Sequence, residues 1–339
     1  MSFKYPEIIA ELSGNHNGSL AHALDMIRIA KECGADAIKF QTYTADTMTI
    51  KVNRPEFFIS DEGSLWQGKY LYDLYEIAST PWDWHAELFE YSRKLGIEPF
   101  STPFDLTAVD FLEQLDVQRY KVASFEITYL ELIAKIAQTS KPMIISTGMA
   151  SLEEISEAVL TARENGCKDL TLLKCTSAYP SEPKFANLST IADLRKKFNC
   201  KVGLSDHTLG ISVALGAIAL GATMIEKHVT MHHDDGGVDS KFSLTPNQLQ
   251  ELVLQSRVVS ESLGEVVYGV SELEKPSLKF RRSLFVVRNV RKGDLVTREN
   301  VRVIRPGTGL PPKTLELVLG KPFREDLDMG TPLELKHID

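Results

Sequence analysis

Cysteine is scarce: the 339-residue chain has four, Cys33, Cys167, Cys175 and Cys200, far apart and without C-x-x-C spacing. That excludes a disulfide scaffold and argues for reduced thiols in the cytoplasm. No run of 18 apolar residues occurs, so no segment reads as a membrane span. The opening stretch MSFKYPEIIAEL has no signal-peptide apolar core. Excess positive charge is also missing. With a formal charge of −8, a pI near 5.6 and no basic stripe interleaved with aromatics, a nucleic-acid surface is disfavoured and small molecules are the expected partners.

What the chain does have is length and repetition. At 339 residues it exceeds what one hydrophobic core usually serves, so one large domain with a small companion is expected. Eight short apolar runs alternate with longer helical patterns: EIIAEL (7–12), AIKF (37–40), EPFST (98–102), YKVAS (120–124), MIIST (143–147), LTLLKC (170–175), KVGLS (201–205) and TMIEKH (223–228). This count and spacing predict a (β/α)₈ TIM barrel over residues 1–268. In the first helix, Ser19 caps, Leu20, Ala23, Leu24, Ile27 and Ala30 make the apolar stripe, and Gly34 offers the left-handed stop. A long insertion, 42–80, precedes the helical PWDWHAELFEYSRKLG and is long enough to wall a site. Residues 269–279 read as a polar, Pro-bearing linker. The segment 280–339, with SLFVV and VRVI between turn signals, reads as a small β-rich domain that must dock on something to be stable.

Catalytic groups of such a barrel sit at the carboxyl ends of its strands. There the sequence places Glu11; Lys39 and Gln41; Ser101 and Thr102; Lys121, Ser124 and Glu126; Ser146 and Thr147; Lys174 and Thr176; Ser205, Asp206 and His207; and Glu226, Lys227 and His228. A lysine inside an apolar strand is costly unless an anion neutralises it. Two or three facing one rim point to a bound phosphate or carboxylate; the plainer alternative pairs them with Glu11, Glu126 or Glu226.

The stretch IEKHVTMHHDDGGVD, residues 225–239, concentrates histidine and aspartate. His207 and His228 end adjacent strands, which brings them within reach of one divalent ion with positions left for water and substrate. His232, His233, Asp234 and Asp235 lie beyond the strand and read as loop. His16, in SGNHNGS, is either a third ligand or a loop-shaping residue.

The motifs IAELSGNHNGSL, GADAIKFQTYTADT, YKVASFE, STGM, LKCTSAYP, GLSDHTLG, IEKH and DSKFSL together resemble the sialic acid synthase family along the whole barrel. RRSLFVVRNVRKGDLVTRENVRVIRPGTGL is similar to that family's antifreeze-like (SAF) domain. The resemblance implies condensation of phosphoenolpyruvate with the open-chain aldehyde of an N-acetylated amino sugar, releasing phosphate. Within the family, KFQTYTADTMT, LYDLYEIASTPWDWH and VDSKFSL look most like the branch whose acceptor is 2,4-diacetamido-2,4,6-trideoxy-altrose. The branches making N-acetylneuraminate or legionaminate are the alternative.

By this resemblance His207 and His228 are catalytic and hold the metal, Mn²⁺ first and Mg²⁺ or Co²⁺ as alternatives. Lys39, Thr102, Lys121, Ser124, Ser146 and Ser205 cradle phosphoenolpyruvate. Glu11 is the general acid/base and Glu126 a second acid. Gln41, Tyr179, Asp239 and Arg305 match sugar-binding positions, the arginine arriving from the partner subunit's SAF domain in a domain-swapped homodimer. The chain departs from many sialic acid synthases at Ser177, where they carry asparagine; Phe125 and Tyr129 either line an apolar part of the pocket or belong to the core. A metal-dependent hydrolase barrel is disfavoured because strand one ends AELSGNHNG, without His-x-His. A non-catalytic SAF-type glycan-binding protein is the alternative of another class.

Overall fold

In the computed structural model, which describes residues 5–62 and 64–339, eight parallel strands close into a barrel in chain order. They are β1 (Glu7–Glu11), β2 (Ala37–Thr42), β3 (Glu98–Pro103), β4 (Tyr120–Val122), β5 (Met143–Ser146), β6 (Leu170–Cys175), β7 (Lys201–Asp206) and β8 (Met224–His228). Each of the eight expected runs falls on one strand. β4 is short because Ser124–Glu126 turns into a 3₁₀ helix straight after it. Closure is made by β1 on β8, with Glu11 level with His228 and, on its other side, with Lys39 of β2.

Successive side chains of a strand point to opposite faces. Ile8, Ala10, Leu12, Ile38 and Phe40 therefore join the layer between sheet and helices, whereas Ile9, Ala37, Phe100, Ile144, Leu173 and Met224 fill the barrel itself. At the amino-terminal mouth, Arg119 pairs with Glu7 and with Glu98 (2.9 Å) and lies over the Phe100 ring, 4.3 Å from its centroid. The two carboxylates and the ring compensate the buried guanidinium at this end, and the other mouth is left for chemistry.

Helix Leu20–Glu32 forms as its sequence predicts: Ser19 Oγ accepts from His22 N, and the chain turns away at Gly34 with φ +91°. Its buried face includes Met26 beside Ala23, Ile27 and Ala30; Leu20 and Leu24 pack at the margin. The long insertion has helices of its own, Ala45–Met48 and Leu71–Ala78. Helix Trp82–Leu95 follows it and ends at left-handed Gly96.

The chain divides into two units after Gly264. In the second, β9 (Ser283–Val286) and β10 (Val301–Ile304) pair antiparallel, and the remaining β character is single bridges such as Val290 to Leu327 and Phe323 to Ile338. Leu284, Val286, Val296, Val301, Phe323 and Leu333 make its own core. The four cysteines are free. Among the described residues no helix is long and apolar enough to cross a membrane.

Candidate active site

The alternation that fills the barrel with Ile9 and Phe100 puts a charged layer one step higher, toward the carboxyl mouth. Lys39 Nζ lies 2.6 Å from Glu11 Oε2, 3.9 Å from Glu226 Oε2 and 3.2 Å from Thr102 Oγ1. Lys121 Nζ lies 3.6 Å from Glu226 Oε1, and Ser205 Oγ donates to that same oxygen at 2.9 Å. Ser146 Oγ is buried in the described structure without a hydrogen-bond partner. Ser124 Oγ accepts from Gly148 N at 3.1 Å. A Cβ at Gly148 would run into the hydroxyls of Ser124 and Ser177, so a glycine is needed for the loop after β5 to approach them.

The two lysines are not equally compensated. Burial disfavours the Lys39 ammonium, but Glu11 and Glu226 outweigh it and hold its pKa above the ordinary value. For Lys121 burial wins over Glu226, Lys39 adds repulsion, and the pKa falls. Glu226 is drawn down to about 2, its burial outweighed by Lys121 and Lys39. The alternative pairing of the lysines with Glu11 and Glu226 is thus real in this state, yet Lys121 stays short of negative charge. An incoming phosphate would supply it.

Above this layer stand the histidines. The rings of His207 and His228 are 5.3 Å apart, centroid to centroid. His207 Nδ1 is hydrogen-bonded to Thr176 O at 2.9 Å, which leaves Nε2 as its free nitrogen. His228 Nδ1 faces Asp239 Oδ2 at 3.5 Å, is buried and makes no hydrogen bond. Among the described residues no three His, Cys, Asp or Glu are grouped so as to hold a metal ion. Two imidazoles with unfilled nitrogens beside a carboxylate do fit an open, catalytic type of divalent-ion site.

Gln41 joins the two levels, donating from Nε2 to Glu11 Oε1 (2.9 Å) and Ser13 Oγ (3.1 Å), while Ser13 Oγ donates to Asp239 Oδ2. Burial would raise the Asp239 pKa, but His228, Ser13 and His207 hold it down. Tyr179 packs its ring 4.4 Å from that of His207. Glu126, on the 3₁₀ turn after β4, is half-buried; burial lifts its carboxyl to about 7 although Lys121 pulls the other way.

The other candidates divide between the barrel's outer face, the loops and the second unit. Lys174 and Lys227 are at strand ends but face out of the barrel: Lys174 Nζ donates to Cys175 O and Thr176 Oγ1, and Lys227 pairs with Asp206 at 3.1 Å. Ser101 and Thr147 also point outward, to Thr42 Oγ1 and Leu173 O. His16 shapes its loop, accepting from Gly18 N and standing edge-on to Trp84. His233 Nδ1 bonds Ser240 O and His232 is exposed. Phe125 and Tyr129 are not core residues, being 59% and 38% exposed. Arg305 lies in the second unit and is exposed.

Sequence reasoning placed Glu226 at the end of strand eight and as a possible lysine partner but gave it no role in the site, although its place two residues before His228 puts both on one face. It passed over Ser13 and Trp66. Trp66, from the insertion, donates from Nε1 to Val238 O at 3.1 Å and has its ring 5.6 Å from that of Tyr179.

Residues 26–268 match the NeuB family and residues 281–339 the SAF domain. The pseudaminic acid synthase of Helicobacter pylori is 43% identical over 336 residues, covering 98% of this chain and 98% of that protein. The N,N'-diacetyllegionaminic acid synthase of Legionella pneumophila is 38% identical over 338 residues, covering 98% of this chain and 94% of that one. A crystal structure of N-acetylneuraminic acid synthetase from Leptospira borgpetersenii, in complex with citrate, superposes with a TM-score of 0.72 at 32% identity, covering 82% of this chain and 91% of that chain.

Proposed function

The chain belongs to the NeuB family and ends in a SAF domain, and from that premise we propose that it is a pseudaminic acid synthase. It condenses phosphoenolpyruvate with the open-chain aldehyde of 2,4-diacetamido-2,4,6-trideoxy-β-L-altropyranose, giving pseudaminic acid and phosphate. What carries the choice of sugar is the 43% identity over almost the full length of both chains with the Helicobacter pylori synthase.

The charged layer supports the chemistry. Lys121, short of negative charge, and Lys39 hold the anionic groups of phosphoenolpyruvate, while Ser124, Ser146, Ser205 and Thr102 supply directed donors. The acceptor lies above them, against Gln41, Tyr179 and Asp239. A divalent ion held by His207 and His228, Mn²⁺ with Mg²⁺ or Co²⁺ as alternatives, supplies Lewis-acid polarisation of the aldehyde oxygen when bound. C3 of phosphoenolpyruvate attacks the aldehyde carbon, and water then adds to C2. The C2–O bond to phosphate breaks, leaving the 2-keto acid. Glu11, both of whose oxygens are fixed at rest by Lys39 and Gln41, takes the proton from that water once the bound anion occupies Lys39. Glu126, poised near neutrality, is the second acid.

The same reading makes the protein a domain-swapped homodimer in the cytoplasm, where its four thiols stay reduced. Val266, Tyr268 and Leu273 are 88%, 94% and 93% exposed, too apolar a stretch to be left in water. Residues 281–339 carry twelve Lys and Arg against eight Asp and Glu, in a chain whose total is −8, so this segment is attracted to an acidic barrel. In the swapped arrangement Arg305 reaches the acceptor site of the other copy.

The test is turnover of the purified protein with phosphoenolpyruvate and a panel of acceptors, read by phosphate release. Turnover of the altrose compound above the mannosamine and legionaminate precursors is expected. No turnover of it, with turnover of either competitor, would transfer the chain to the N-acetylneuraminate or legionaminate branch.

A further inference from the structure

We propose that Trp66 is a specificity-determining residue: with Tyr179 it forms an aromatic bracket that receives an apolar substituent of the acceptor sugar, the 6-deoxy methyl group. The inference rests on the acceptor class proposed above.

The surroundings of the histidine pair are two-sided. One side is polar, with Asp239, Ser13 and Gln41 in a hydrogen-bonded chain down to Glu11. The other is aromatic: the Tyr179 ring lies 4.4 Å from His207 and 5.5 Å from Phe242, and Trp66 extends that wall outward, 5.6 Å from Tyr179 and tilted by 49°. Trp66 is half-buried, and its indole N–H is tied to the carbonyl of Val238, the residue before Asp239. The tie fixes the ring relative to the carboxylate that reads sugar hydroxyls. It also consumes the only polar atom of the side chain, so what the ring offers a ligand is apolar surface. A hexosamine with a hydroxyl on C6 would lose a water-bonded group against such a wall, whereas a methyl there gains burial.

The experiment compares wild type, Trp66→Ala and Trp66→Phe, measuring kcat and KM for phosphoenolpyruvate, for the 6-deoxy acceptor and for its 6-hydroxylated counterpart. Trp66→Ala should raise KM for the 6-deoxy acceptor about tenfold or more and cut the preference over the 6-hydroxy compound by about tenfold, the range a methyl in an apolar pocket commands. KM for phosphoenolpyruvate and the thermal shift it produces should stay at wild-type values, which shows that the barrel is folded. Trp66→Phe keeps a ring without the N–H and should retain part of the preference. The inference is overturned if Trp66→Ala leaves the preference unchanged, or if it raises both KM values alike. If wild type itself prefers 6-hydroxylated acceptors, the acceptor reading and this inference fall together, and the wild-type panel shows that before any variant is made.

Discussion

Replacing Glu226 by glutamine tests whether the two inward lysines form an anion site whose charge is balanced internally until substrate arrives. Glu226 Oε1 lies 3.6 Å from Lys121 Nζ, and Oε2 lies 3.9 Å from Lys39 Nζ. At an effective dielectric constant of about 20 each attraction is worth about 4 kcal/mol. The variant is spared the desolvation of one carboxylate, so the net loss is smaller, about 3–5 kcal/mol for breaking a buried pair. Lys121 bears most of it, because Lys39 keeps Glu11 at 2.6 Å. Glutamine preserves the shape and can still accept from Ser205, so packing is not the variable. Chemical denaturation at pH 7 should show a stability loss of that size with no change in slope. Phosphoenolpyruvate replaces the missing charge, so calorimetry should find it bound about tenfold tighter than by wild type, and saturation should restore part of the stability. A loss below about 1 kcal/mol combined with weaker phosphoenolpyruvate binding would refute the reasoning, since Glu226 would then be a hydrogen-bond partner of the ligand and no counterion.

Glu126 titrates near 7 when folded, against an ordinary 4.5. The stability linked to its protonated form is complete below about 4.5 and is lost as pH rises through about 7, so the Glu126→Gln variant should gain on wild type by about 2–3 kcal/mol across that window in denaturation curves. Chelation should abolish phosphate release, with Mn²⁺ restoring it to wild type but not to His207→Ala; full activity after exhaustive chelation would rule out the ion. Arg305→Ala and Glu11→Gln should each lose phosphate release by more than about a hundredfold, and mixing them under exchange conditions should recover part of it, because one of the two sites in a swapped heterodimer is intact. Absence of recovery in proven heterodimers would rule out delivery of Arg305 between subunits.

The barrel and its charged mouth were legible because polar residues close otherwise apolar strands: Lys39 after AI and His228 after IEK are costly to bury without a partner. What could not be read was which of two adjacent charged residues faces inward. A parallel barrel is apolar on both faces, so hydropathy does not mark the phase of a strand. Lys174 and Lys227 therefore looked equivalent to Lys39 and Lys121 until pairing register put Cys175 and Glu226 inside in their place. Loop contacts were less legible still, since they join distant segments: Trp66 meets Val238 across 172 positions, and Ser13 meets Asp239 across 226. This division has a functional counterpart. On the proposed reading the strand-borne layer, Glu11, Lys39, Thr102, Lys121, Ser146, Ser205 and Glu226, takes phosphoenolpyruvate, and its positions are held by barrel geometry. On the same reading the acceptor end is built by loops after β1, β2, β6 and β8, where Ser13, Trp66, Tyr179 and Asp239 come from separate connections. A loop can change length or residue without disturbing strand register, so the acceptor can be altered while carbon–carbon bond formation is kept. Substitutions that shift sugar preference should accordingly fall in those four loops, and substitutions in the strand-end layer should reduce turnover of every acceptor alike.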